Sequence, residues 1–311
     1  MRALGGFLVL AVLSCGCSGT QEGGDSEPES SVSSELATQR LAQARERFSA
    51  KNAAKPLLRA EDGALRFGVS QLDVSTADNR TRSLRLTLPS DVGDLTKLHD
   101  VESGVGVGFR LLGTPPASAS AIVDGIIVSP RVFPGVDSFV RGRADGLEDY
   151  VSLEAAPSST EVRYELVLEG VAGLRQIGQV IEFLDPAGAP RLRVTAPAAV
   201  DAEQRNHALR LELQGCAVDR DPRGPWGRPV LPPGNTVCEL AVRWDGDVKY
   251  PLLVDPAWTA TATMTYARTH HGAGLLPSGK VLVGGGTQTE PSLSSEIWDP
   301  TTGTWALTGT F

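Results

Sequence analysis

Hydrophobic and polar positions alternate with a period of two through most of the chain between Leu57 and Asp255. Leu84, Leu86 and Leu88 are separated by Arg85 and Thr87, and Val162, Tyr164, Leu166 and Leu168 are interleaved with Arg163 and Glu165. Leu209, Leu211 and Leu213 alternate with Arg210 and Glu212, and Cys238, Leu240, Val242 and Trp244 with Glu239 and Arg243. A strand sends successive side chains to opposite faces, so each run puts one face in a core and the other in water, as antiparallel sheets do. Turn-forming residues lie between the runs: Asp145-Gly146, Pro186-Ala187-Gly188, and Asp245-Gly246 ahead of Tyr250–Val254. No segment alternates strands with long helices, which disfavours a parallel α/β sheet. The pattern predicts an all-β chain in which residues 57–256 form a β-sandwich-like module, as one unit or as two sub-domains.

Upstream the period changes. Leu36, Leu41, Ala44 and Phe48 approach helical spacing, Ser34 is placed to cap, and good helix formers fill the rest. A short helix is expected over residues 35–52, either docked on the next domain or frayed. Residues 18–34 carry Glu22, Asp25, Glu27 and Glu29 and almost nothing apolar, which makes them an acidic, disordered tether. Ahead of the tether, Arg2 precedes an apolar run from Leu4 to Leu13. A run of about ten residues is too short for a membrane span of roughly 20 but suits the core of a secretory signal.

That signal ends Val12-Leu13-Ser14-Cys15-Gly16-Cys17, which resembles the lipobox of bacterial lipoproteins. In that family a small residue precedes a cysteine that is lipidated and becomes the mature N-terminus. Two registers fit: Cys15 has Val12 three positions upstream, and Cys17 has Gly16 immediately before it. The lipoprotein-type signal is assigned to residues 1–17, and cleavage at Cys17 leaves no unpaired thiol in an oxidising compartment. The resemblance implies an exported protein held on a membrane by a lipid anchor, in the cell envelope, at the outer membrane or facing the periplasm.

The 311 residues are 41% hydrophobic, enough for real cores, and their number is in keeping with two domains. With 34 glycines, 21 prolines and 5% aromatics, the composition fits short strands joined by many turns rather than long helices. A net charge of −8, with no local basic patch, disfavours a nucleic-acid partner. Cys216 and Cys238 are the only cysteines beyond the N-terminus, and in an exported chain they most simply pair, tying down the proline-rich loop between them. Cys216 falls off the apolar parity of Leu209–Leu213, so Gly215 is expected in a bulge.

Three segments resemble a module found ahead of kelch or YD-type repeat arrays in large secreted bacterial proteins. They are Phe133-Pro134-Gly135-Val136-Asp137, Gly146-Leu147-Glu148-Asp149-Tyr150 and Tyr250-Pro251-Leu252-Leu253-Val254-Asp255-Pro256-Ala257-Trp258. That family implies no catalytic residues. The last residues are similar to one kelch repeat: Arg268 with His271, then Leu276-Pro277-Ser278-Gly279-Lys280-Val281-Leu282-Val283 and its following glycines, then Glu296-Ile297-Trp298-Asp299-Pro300 and Trp305. The resemblance implies a single propeller blade over residues 257–311, with Arg268, His271, Gly284, Gly285, Trp298 and Trp305 as structural residues. Propellers are built from about four to eight blades, so a lone repeat reads as the truncated start of a longer array.

Candidate chemistry is sparse. His270 and His271 are adjacent and on a strand would face opposite ways, and His99 and His207 are isolated surface positions. Asp219/Asp221 and Asp245/Asp247 read as turn aspartates, and the glycines of 104–108 and 284–286 do not lead into helices, against a phosphate loop. No catalytic residue, metal or cofactor is expected. The reading is a non-enzymatic lipoprotein that binds a protein or glycan partner through its sandwich and kelch surfaces. Its alternatives are a fragment of a larger propeller without activity of its own, and a carbohydrate-active or galactose-oxidase-like enzyme fragment.

Overall fold

The computed structural model describes residues 34–45, 67–75, 81–115, 119–143, 146–195, 197–221, 228–260, 264–266, 268–278, 280–287, 293–299 and 304–310. The chain is all-β apart from one helix, α1 (Ser34–Arg45). The predicted signal, both candidate lipidation cysteines and the tether up to residue 33 lie outside the described residues, as does the predicted end of the helix beyond Arg45.

One antiparallel sheet has seven strands in the order β1 (Gly68–Ser75), β2 (Thr81–Leu88), β3 (Thr96–Asp100), β4 (Val105–Leu111), β9 (Glu161–Glu169), β16 (Val237–Arg243) and β15 (Arg210–Gln214). The second sheet holds β5 (Ala121–Val123), β6 (Ile126–Phe133), β7 (Val136–Arg143), β8 (Gly146–Leu153), β10 (Gly173–Ile177), β11 (Val180–Leu184), β12 (Pro190–Val194), β13 (Ala198–Val200), β14 (Asn206–Ala208), β17 (Leu252–Asp255) and β18 (Ala257–Ala260). The strict alternation read in the sequence is the alternation of burial here: along β9 every second residue from Val162 to Leu168 is buried. Outward-facing partners of that strand form ion pairs, Arg110–Glu165 at 2.8 Å and Arg163–Glu239 at 2.7 Å, which at such exposure add little stability.

One apolar cluster spans both sheets, joining Leu86, Val107, Leu166 and Leu240 to Leu147, Phe183, Leu192 and Val254. The sandwich is therefore one unit. At its centre Trp258 stacks on Phe109, with ring centroids 3.9 Å apart and planes 4° apart, and Tyr164 meets both rings edge-on.

β17 and β18 are one strand in all but hydrogen bonding. Leu252 faces Leu153, and Trp258 faces Leu147 in the same register on β8. Between them the Asp149 amide donates to the Pro256 carbonyl at 3.1 Å, while Pro256 has no N–H to return. On the other edge, Val194 faces Trp258 and Ala198 faces Asp255, so β12 and β13 also run almost end to end with a one-residue irregularity. The sandwich thus runs through Ala260, past the boundary at residue 256 that the sequence pattern indicated.

α1 lies on the outer face of the second sheet. It buries Ala37, Leu41 and Ala44 among Ile126, Val128, Phe139, Tyr150 and Leu253. The buried stripe is rotated by one residue from the sequence reading: Ala37 is fully buried and Leu36 only half-buried. This cover explains β8, which is buried at every position because one face meets the core and the other meets the helix.

The last strands, β19 (Gly272–Leu275), β20 (Val281–Gly284), β21 (Ser294–Asp299) and β22 (Thr304–Thr310), form a separate four-stranded antiparallel sheet in sequence order. Its small core of Val281, Val283 and Trp298 is packed by Met264, Trp305 and, from the sandwich, Ile177.

Candidate functional site

The best-organised polar centre belongs to the four-stranded sheet. Thr265, Tyr266 and Arg268 lie beside β21, and there Arg268 meets Glu296 with Nη2–Oε1 at 2.7 Å, both side chains being fully buried. Nη2 also donates to Ser294 Oγ at 3.0 Å, and Nη1 donates to the carbonyls of Ser294 at 2.6 Å and Gly285 at 3.0 Å. Nε donates to the Tyr266 carbonyl at 3.3 Å. Glu296 in turn accepts from the backbone amides of Thr265 at 2.6 Å and Tyr266 at 3.1 Å. A buried ion pair tolerates its dehydration only when its remaining hydrogen-bonding positions are filled, and here they are.

The neighbouring residues fit around this pair. His271 Nδ1 lies 3.3 Å from the Arg268 carbonyl, and Trp298 and Trp305 face each other across β21 and β22. Gly285 and Gly286 adopt φ of 67° and 88°. A Cβ on Gly286 would lie 2.5 Å from the Thr269 carbonyl, so the close pairing of Thr269 with Thr287 requires glycine there. Gly284, by contrast, is an ordinary residue of β20 and takes no part in the bend. His270 has φ of 56° and precedes β19, so the two histidines do not lie on a strand as their sequence implied. Glu296 was legible only as part of a motif; its role as the arginine's counter-ion comes from the fold.

Cys216 and Cys238 form a disulfide, with Cα atoms 5.5 Å apart. β15 ends at Gln214, and Gly215 turns the chain with φ of 79° rather than forming a bulge within the strand. The parity of Cys216 is therefore not constrained by β15. The loop that follows carries Arg228, which bridges Asp219 at 2.9 Å and Asp221 at 3.2 Å. Replacing both cysteines by serine is expected to lower Tm by a few degrees and to open residues 217–236 to protease before the sandwich unfolds. Differential scanning calorimetry with limited proteolysis checks this.

The remaining histidines and aspartates are engaged. His99 is the next-to-last residue of β3, half-buried, and the space beside it exists because residue 106 is glycine: a Cβ there would lie 2.6 Å from His99 Nδ1. His207 Nε2 lies 2.9 Å from Asp201 Oδ2, which also accepts from Arg205 Nε at 2.9 Å. Burial pushes the Asp201 carboxyl up, but hydrogen bonds from His207, Arg205 and the Glu203 amide outweigh it and hold the group well below the carboxylate range. Asp185 closes the β11–β12 hairpin in the same way, accepting from the amides of Ala187 and Ala189 and from Arg191 Nε at 2.7 Å. Asp245 pairs with Arg210, and Asp247 with Lys249 at 2.8 Å. These aspartates fasten turns.

One carboxyl is different. Asp149 projects from β8 into the interior between the sheets, facing the hydroxyls of Tyr164 and Ser138. Burial raises it from an ordinary 3.8 to about 6, although those hydroxyls act to lower it. No local signal marks it, since β8 also carries Glu148 and Ser152. A cavity of about 370 Å³ lies against Asp91, Asp94, Arg110 and Thr114, and its one cation, Arg110, is held by the Gly93 carbonyl at 3.1 Å and by Glu165. Among the described residues no group of three or more His, Cys, Asp and Glu could hold a metal ion, and no described helix is long and apolar enough to cross a membrane. No family model matches the chain, and no match is found among curated proteins.

Proposed function

We propose that the protein is a non-enzymatic lipoprotein of the cell envelope, in which the sandwich is a scaffold and the four-stranded sheet a binding surface for a protein or glycan. The observation that carries this reading is where large apolar side chains are exposed. Of the seven exposed large apolar side chains among the described residues, four, Tyr266, Leu275, Leu293 and Leu307, lie on or beside the small sheet, and β19 is exposed along its whole length; the other three, Val101, Leu231 and Val237, belong to the much larger sandwich. Apolar exposure concentrated on so small a sheet is what a docking surface needs. The Cys216–Cys238 disulfide supports an oxidising address, and one of the two lipobox-like cysteines, Cys17 or Cys15, supplies the anchor.

The test is membrane fractionation of the full-length chain and its Cys15→Ser/Cys17→Ser variant. The unsubstituted protein is expected to sediment with membranes and the variant to move to the soluble fraction. Identical fractionation of the two removes the anchor from the reading. The binding surface is tested by a photo-crosslinking residue at Leu307, whose adducts are expected to disappear when Leu275 and Leu293 are both changed to Glu.

A second reading is favoured by the shape of the same sheet, which resembles one kelch blade with β19 and β22 as its outer strands. On that reading the sheet is one blade of a larger propeller, and sequencing of the coding locus past Phe311 decides between the two.

A further inference from the structure

α1 occupies its seat on thin terms. Twelve residues are ordered, yet only Leu41 and two alanines are buried by doing so. Burial of that size offsets little of the entropy lost, and an isolated helix of this length is marginal in water. Charge supplies the rest of the hold, chiefly through the sheltered Arg40, which pairs with Asp137 at 3.7 Å and with Glu154; Arg45 pairs with Asp124 at 2.6 Å at a more exposed position. Its seat belongs to β5–β8 and β17, and residues 46–66 separate it from β1, so no short connection holds it in place.

The seat has a definite chemistry: an apolar floor of Phe139, Tyr150 and Leu253 with an acidic rim of Asp124, Asp137 and Glu154. We propose that this seat is a receptor for a basic amphipathic helix and that α1 is its resident, displaceable occupant. The fitting partner helix carries a central leucine, small residues one turn to either side, and arginines just before the leucine and one turn after it, as Ala37, Arg40, Leu41, Ala44 and Arg45 do. The inference needs neither the lipid anchor nor the four-stranded sheet.

The test uses the full-length chain and a labelled peptide of sequence SELATQRLAQAR, followed by fluorescence anisotropy. In the variant Arg40→Glu/Leu41→Asp the resident helix is released, and peptide affinity is expected to rise at least about tenfold over the unsubstituted protein, whose own helix competes at a millimolar effective concentration. That binding is expected to weaken at high salt and to vanish when Asp124 and Glu154 are also changed to Lys. No binding to the released variant, equal binding to both proteins, or indifference to the rim charges overturns the proposal. Hydrogen exchange on the unsubstituted protein gives a second test. Amides of α1 are expected to exchange at least about a hundredfold faster than those of β8, and equal protection overturns the proposal by showing α1 to be a permanent part of the core.

Discussion

Changing Glu296 to Ala is expected to destabilise the four-stranded sheet by about 3–5 kcal/mol, the range for leaving one member of a buried ion pair uncompensated. Arg268 would remain fully buried without its counter-ion, and the amides of Thr265 and Tyr266 would lose their acceptor. The small core of Val281, Val283 and Trp298 is too slight to absorb such a loss. The sheet should therefore melt while the sandwich, with its separate core, stays folded. Hydrogen exchange resolves the two: protection of β20 and β21 is lost, and that of β8 and β9 is kept. A double change of Arg268→Met and Glu296→Leu should not restore the sheet. The carbonyls of Tyr266, Gly285 and Ser294 also depend on the arginine, so an apolar pair of similar size leaves them without a donor.

Stability of the sandwich is expected to fall as pH rises from about 4 to above 6, and Asp149→Asn is expected to remove most of that slope. The Asp149 carboxyl binds its proton more tightly folded, at about 6, than unfolded, at 3.8. Its contribution is therefore fully present below the unfolded value and is lost as pH rises through the folded one. At about 1.4 kcal/mol per unit, the loss is about 3 kcal/mol. Asp137 and Glu182, both raised by burial, add slope of the same sign. Asp201 and Asp247 are held low and act in the opposite direction, in a lower pH range, as pH falls below the ordinary carboxylate value. Denaturant titrations of both proteins at pH 4.5 and 7.5 isolate the Asp149 part. The asparagine variant should gain on the unsubstituted protein by about 2 kcal/mol between the two pH values. A constant difference would show that Asp149 is ionised alike in both states.

Alternation made the sandwich strands readable because each of them has one wet face and one dry face. β8 broke that rule. Glu148 lies beneath the helix side of the sheet, bonded by the Tyr150 hydroxyl at 2.7 Å, and Asp149 lies inside. Only tertiary cover decides this, and a local pattern carries no information about cover. The same holds for Arg175, Glu182 and Arg193, side by side across β10, β11 and β12 and buried together. The strand continues through Pro256, where the alternating module was expected to end, with one hydrogen bond missing. In the small sheet, Arg268, Trp298 and Trp305 stood out by type and spacing, but the pairing of Arg268 with Glu296 depends on the fold bringing Thr265, Tyr266 and Arg268 against β21.

The strand made of β17 and β18 lies in the interior of the larger sheet, between β8 on one edge and β12 with β13 on the other. It is also the last part of the sandwich to be synthesised. Until residues 252–260 leave the ribosome, two groups of earlier strands have no common neighbour, and Trp258 is missing from the centre of the aromatic stack. Such late, long-range closure slows folding. Placing the keystone strand near the end of the sandwich delays its completion until nearly the whole of the sandwich sequence has been made.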